Sequence, residues 1–162
     1  MKKAFLYHAN LIVLLLFITV NSLFAAESKA VLPGLKDRCP VCGMFVVKYP
    51  DFIAEIIFRD GSYAVFDGAK DMFKYYFNLK KYDPGKKKAD IDTIYVSDYY
   101  SLHFIDGQKA YYVLGSDVYG PMGRELIPFQ KLSDAKEFKK DHKGKSVLTF
   151  SEITDKIIKG ID

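Results

Sequence analysis

The sequence predicts an α+β fold, two related ββαβ units packed as one compact domain. Three observations predict it. Short strand-like runs alternate with single helix-like runs, strand, strand, helix, strand, and the order occurs twice. The segment Phe66-Asp67-Gly68-Ala69-Lys70-Asp71-Met72-Phe73 has a counterpart, in different letters, in Phe129 to Phe138. Neither half alone offers a full apolar core, so the halves must bury each other.

The first unit spans about residues 45–100. Phe52 to Phe58 and Ser62 to Phe66 read as strands joined through Asp60-Gly61, a common two-residue hairpin signal. Asp67 is placed to cap a helix whose inward stripe is Ala69, Met72, Phe73 and Tyr76. A lysine-rich loop follows, with Lys80-Lys81 and Lys86-Lys87-Lys88 around Tyr82-Asp83-Pro84-Gly85, and Thr93 to Ser97 closes the unit as a strand.

The second unit spans about residues 101–162. An extra strand at Leu102 to Ile105 leads in through Asp106-Gly107; Ala110 to Leu114 and Arg124 to Phe129 are its first two strands. Ser133 caps a helix with Ala135 and Phe138 inward, Ser146 to Phe150 is the last strand, and Ile153, Ile157 and Ile158 suggest a short terminal helix. Between its first two strands lies Gly115 to Gly123, a glycine-rich stretch longer than a tight hairpin requires, and so a candidate functional loop.

Residues 1–26 stand outside this domain. Lys2 and Lys3 precede the apolar run Leu11 to Val20, and small residues follow at Ala25 and Ala26, the layout of a secretory signal peptide cleaved there. The run is short of the roughly 20 apolar residues that span a bilayer, although Ala4 to Ala26 together could persist as an uncleaved anchor. No cysteine lies near the cleavage site, so the expected product carries no lipid there and is periplasmic, beginning with a leader over residues 27–38.

Composition narrows the function. Of 162 residues 27% are charged and 49% apolar, with two Cys, ordinary globular proportions that exclude disorder and disulfide-dense miniproteins. Loss of Lys2 and Lys3 takes the net charge from +4 to +2, too little for a nucleic-acid partner. The lysine loop reads as a solvated surface.

The chemistry lies in Cys39-Pro40-Val41-Cys42-Gly43-Met44. A structural disulfide between Cys39 and Cys42 would close only a few residues and remove little chain entropy. A thiol-disulfide oxidoreductase, the alternative function, places its CxxC at a helix start, whereas Gly43 to Val47 reads as extended chain. Zinc calls for a second CxxC or two spaced His, and His103 and His142 lack that spacing.

Thiolate plus thioether is the soft set that selects Cu(I), and an extended chain puts the sulfurs of Cys42 and Met44 on one face. Met122, flanked by Gly120, Pro121 and Gly123, has no apolar sequence neighbours and offers a second thioether. Met44 is either a ligand or core; His103 is a partly buried strand residue or a ligand; Met72 is core. His142 reads as a surface residue at a helix C-terminus, and Asp98 and Asp117 as turn residues.

At Cys39 to Met44, at Tyr95-Val96-Ser97-Asp98-Tyr99, and along Ala110 to Asp117 through Gly120-Pro121-Met122-Gly123-Arg124-Glu125-Leu126-Ile127-Pro128-Phe129, the chain resembles the NosL family of bacterial copper-binding accessory proteins. The resemblance covers nearly all of residues 39–162 and implies two ββαβ halves. It implies a non-enzymatic periplasmic Cu(I) chaperone for nitrous oxide reductase, working beside the NosDFY transporter complex. Carried onto this chain it makes Cys42 the principal ligand and Met122 the second sulfur, with Met44 and His103 competing for a third place. Cys39 is then a further ligand, or the partner of Cys42 in a disulfide that switches binding off; the carrier is a monomer or a copper-linked dimer.

Overall fold

The structure, a computed structural model, describes residues 29–162. The expected signal peptide and its cleavage lie outside the described residues. Strands β1 (Ala54–Phe58) and β2 (Tyr63–Phe66) form the first hairpin. Asp60 sets its turn by accepting bonds from the Ser62 amide and hydroxyl, and Gly61 takes the left-handed backbone, φ +82°, that glycine adopts without strain. Helices α1 (Ala69–Phe77) and α2 (Leu79–Tyr82), then β3 (Ile91–Ser97) and β4 (Phe104–Asp106), complete a four-stranded antiparallel sheet of order β2-β1-β3-β4.

The second unit repeats the pattern. Strands β5 (Tyr111–Gly120) and β6 (Gly123–Phe129), helix α3 (Leu132–Asp141) and strand β7 (Ser146–Thr149) give a sheet of order β6-β5-β7, and helix α4 (Asp155–Lys159) ends the chain. In each unit the first strand sits between the second and the third, all antiparallel. The two-unit architecture read from the sequence is therefore the architecture of the molecule.

The units share a core. Its main body joins Ile56, Phe58, Phe66, Met72, Phe73, Ile94 and Val96 of the first unit to Tyr112, Leu126, Ile153 and Ile158 of the second. Helix α1 packs on β1 and β2 and also on β6 and α4, so it lies between the two units. A smaller cluster of Val113, Ile127, Phe129, Ala135 and Phe138 fills the space under α3.

Several local expectations are corrected. Phe52 belongs to a 3-10 turn, Pro50–Phe52, so β1 starts only at Ala54. The strand expected from Leu102 starts at Phe104, because Leu102 has φ +58° and turns the chain. Phe150 opens a 3-10 turn instead of extending β7. Ser133 lies inside α3, whose N-cap is Lys131, and bonds its neighbour Asp134.

The lysine segment is only partly loop, since Lys80 and Lys81 lie in α2. Lys86 pairs with Asp60, and the Lys88 ammonium sits 4.0 Å from the centre of the Tyr76 ring. The charges of Lys86 and Lys88 are thus engaged within the fold.

The stretch Gly115 to Gly123 is a paired ribbon, not an open loop. Tyr119 faces Arg124 and Gly120 faces Gly123, leaving Pro121-Met122 as a two-residue turn. The extra length goes into a wide bulge: Leu114 pairs with Leu126 and Tyr119 with Arg124, so residues 115–118 oppose Glu125 alone.

Candidate metal centre

The segment expected to be extended folds back on itself. The Cys39 amide donates to the Met44 carbonyl at 2.9 Å, the Gly43 amide donates to the Cys39 carbonyl at 2.9 Å, and Arg38 bridges Phe45. Gly43 makes this knuckle possible with φ +79°. Arg38 braces it, donating to the Gly43 carbonyl at 2.8 Å and stacking 3.7 Å from the centre of the Phe45 ring. Beyond it Val46–Lys48 is a 3-10 turn, so the shared face assumed for Cys42 and Met44 from an extended chain does not exist as such.

The knuckle presses both thiols toward the start of α1. Cys42 Sγ lies 3.1 Å from Asp67 Oδ1, and Cys39 Sγ lies 3.4 Å from Asp71 Oδ2. The four ligand atoms all lie within 4.8 Å of one another. Asp67 was expected to cap α1; the N-cap is Gly68, and the Asp67 carboxylate serves the thiol. The helix start is satisfied from the other unit, by Glu125 Oε1 accepting from the Lys70 amide at 2.5 Å.

The electrostatics of this group are unbalanced. Asp67 and Asp71 are buried, 1% and 2% exposed, and Asp67 Oδ2 and Asp71 Oδ1 have no hydrogen-bond partner. Lys74 reaches Asp71 Oδ1 only at 3.6 Å. Burial pushes the Cys42 thiol up to about 11, with the neighbouring Asp67 carboxylate adding to the rise. Burial raises Cys39 well above the ordinary thiol range. Both thiols are thus protonated near neutral pH and hydrogen-bonded to carboxylates, while Asp67 Oδ2 has no hydrogen bond and Asp71 Oδ1 has only the long Lys74 ion pair. A cation that displaced the thiol protons would relieve both conditions.

The other expected site residues are placed as follows. Met44 is half-buried beside Cys42 and closes the knuckle with its carbonyl. Met122 sits on the β5–β6 turn, 45% exposed, with its carbonyl 2.7 Å from Lys70 Nζ on α1. His103 is exposed just before β4, at the opposite sheet edge from β2, roughly 14 Å away by three strand spacings, and is not brought to the group. Met72 is core; His142 stacks on Phe138 and meets Asp117 at 3.1 Å; Asp98 accepts from Ser101 within its turn and from the Gln130 amide just beyond β6.

Sequence reasoning missed Asp67 and Asp71. Their four-residue spacing at a helix start was the available signal, since it places two carboxylates one turn apart. It carried no weight while Asp67 was assigned to capping.

The model of the NosL family matches residues 33–158, which include the knuckle, both carboxylates and the β5–β6 turn. The chain belongs to the NosL family. It is 29% identical over 130 residues to the copper-binding lipoprotein NosL of Stutzerimonas stutzeri; the match covers 75% of this chain and 64% of that protein, so the chain spans less than two thirds of that relative's length. The crystal structure of the copper chaperone NosL from Shewanella denitrificans superposes with a TM-score of 0.68 at 26% identity, covering 79% of this chain and 97% of that one. The mixed helix and sheet architecture is thus the fold of the family. Among the described residues no helix is long and apolar enough to cross a membrane.

Proposed function

We propose that this NosL-family chain is a non-enzymatic, periplasmic Cu(I) carrier that delivers copper for assembly of the nitrous oxide reductase copper centre, working beside the NosDFY transporter complex. The observation that carries the metal-binding part is the convergence of two thiols and two buried carboxylates, each with one oxygen that makes no hydrogen bond, within 4.8 Å. The names of the relatives supply copper. The acceptor and the compartment follow from the family resemblance and the signal-like residues 1–26.

The donor set suits the task. Cu(I) takes soft ligands in low coordination number, and Cys42, the more accessible thiol, is the entry point with Cys39 behind it. Binding needs thiolates, so the metal must displace the protons by which the thiols now hydrogen-bond to Asp67 and Asp71. Met122 supplies a thioether from the neighbouring turn. An incoming ligand displaces that weak donor first and the thiolates last, so copper passes without entering solution.

The thiol oxidoreductase alternative fits less well. Neither cysteine begins a helix of its own, and raised thiol pKa values make poor nucleophiles at neutral pH. A second metal has one specific observation in its favour: two thiolates and two carboxylates complete a tetrahedral set for Zn²⁺.

The test is an anaerobic titration of the reduced protein with Cu(I) and, in parallel, Zn²⁺, each against a competing chelator. One tightly held Cu(I), abolished by Cys42→Ser and weakened by Met122→Leu, is the expected result. Failure to compete for Cu(I) while holding Zn²⁺ would overturn the copper assignment.

A further inference from the structure

The two elements that bear the sulfurs come from different units, yet both are mounted at the start of α1 and the bend that leads into it. The knuckle is held through Asp67 and Asp71, which receive the thiols of Cys42 and Cys39. The β5–β6 turn is held through Lys70, the residue next to Asp71. Lys70 is 1% exposed, and its ammonium donates to the Met122 carbonyl at 2.7 Å.

A buried carboxyl, pushed up to about 8 by that burial, completes this join. Glu125, 4% exposed, projects from β6 opposite the bulge in β5, and its Oε1 accepts from the Lys70 amide at 2.5 Å and from its own neighbour's, Leu126, at 2.9 Å. Two glycines make room for it: a Cβ on Gly68 would lie 2.2 Å from Glu125 Oε2, and one on Gly120 would lie 3.0 Å from the same oxygen. Buried polar and ionic groups are poor sources of net stability, and their best-attested use is to fix one arrangement among several. The arrangement fixed here is that of the Pro121-Met122 turn against the helix start. Met122 itself is 45% exposed and belongs to neither buried core cluster.

We infer that Lys70 and Glu125 are positioning residues that hold the Met122-bearing turn of the second unit against the helix start of the first, so that the Met122 thioether reaches metal bound at the Cys39–Cys42 thiols. The inference rests on the copper-carrier reading above. Lys70 fixes the turn from its tip and Glu125 fixes the helix end it meets, so breaking either contact frees the thioether without removing any ligand.

The experiment uses reduced, selenomethionine-substituted protein loaded with one Cu(I), reading selenium–copper scattering at the selenium edge together with Cu(I) affinity by chelator competition. The parent is expected to show the scattering, and Met122→Leu to lose it with weakened affinity. Lys70→Met and Glu125→Ala are expected to lose it with the same loss of affinity as Met122→Leu, and neither is expected to add to Met122→Leu in a double variant. Glu125→Gln, which keeps an oxygen for the two amides, should retain it.

Undiminished scattering in folded Lys70→Met, or additive losses in the double variants, would overturn the inference. A one-glycine insertion between Gly120 and Pro121 breaks the Lys70–Met122 contact in the turn and serves should Lys70→Met not fold. Copper held by the parent without selenium scattering would sink the inference and leave the carrier reading standing, whereas undiminished copper binding in Cys42→Ser would sink the carrier reading itself.

Discussion

The Cys42 thiol lies 3.1 Å from Oδ1 of Asp67, a residue in the bend between β2 and α1 and 25 positions further along the chain. The contact ties the knuckle to the helix start and adds to the upward shift of the half-buried thiol. Burial accounts for most of the rise of Cys42 to about 11, and the carboxylate adds to it. Asp67→Asn removes that second contribution alone. Its thiol should titrate below that of the parent yet above the ordinary cysteine range, as followed by ultraviolet thiolate absorbance in metal-free protein. An unshifted titration would mean that the carboxylate does not act on the thiol.

Because both thiols are protonated at neutral pH, metal must displace their protons. Affinity should therefore climb with pH by about tenfold per unit for each proton released, and stop climbing only above the thiol titrations. Chelator competition between pH 6 and pH 9 measures this slope. A pH-independent affinity would show that the metal is held by groups other than Cys39 and Cys42.

The fold was legible in the sequence because its repeat is written in burial. Ala69, Met72 and Phe73 on α1, and Ala135 and Phe138 on α3, mark the two inward stripes, and Asp60-Gly61 marks the first turn. The site was legible only in part. Cys39 and Cys42 announce themselves by spacing, but Asp67 and Asp71 come to them through a fold-back that depends on the left-handed Gly43 and on Arg38 over Phe45, neither of which has a periodic signature. The β5–β6 ribbon was taken for an open loop because a four-residue bulge breaks the alternation that marks a strand. Side-chain acceptors such as Asp67 are interchangeable in sequence between capping a helix and facing a thiol; tertiary contact decides.

The shared core predicts a single unfolding transition. Tyr112, buried completely, stacks edge-on against Phe73 of the first unit with centroids 5.3 Å apart, so the second unit cannot melt without uncovering the first. Phe138, also fully buried and packed 4.8 Å from Tyr99 and 4.9 Å from Phe129, should show this from the periphery. Phe138→Ala is expected to lose about 3–5 kcal/mol while keeping coincident transitions by far- and near-ultraviolet circular dichroism. Two separated transitions would show that the units fold independently.

Gly68→Ala tests the crowding at the join between the units. The added methyl would meet Glu125 Oε2 at 2.2 Å, and that carboxylate is pinned by two amides and has no open side to retreat to. A loss of about 1–3 kcal/mol is expected. Adding Glu125→Ala should recover part of the clash, so the double variant is less destabilised than the sum of the singles. Simple additivity would place the effect of the methyl elsewhere.

Glu55 supplies a pH dependence independent of metal. It is fully buried on β1, its Oε2 accepts from the Val31 amide at 2.9 Å, and its Oε1 has no partner. Burial pushes its carboxyl up to about 7 against the opposing effect of the Val31 bond. The folded chain therefore keeps a proton that the unfolded chain has released above about pH 4.5, and the stabilisation is complete below that value and lost as pH rises through 7. The share at stake is on the order of 3 kcal/mol. Thermal melts of metal-free protein from pH 4.5 to pH 8 should show stability declining across this window, and Glu55→Gln, which cannot titrate, should make the decline shallower, leaving the part due to Glu125, whose carboxyl burial pushes up to about 8. An equally steep decline in Glu55→Gln would assign it to other groups. The Val31 bond favours the ionised form, so removing the residues before Pro33 should push the Glu55 titration higher still and extend the decline to higher pH.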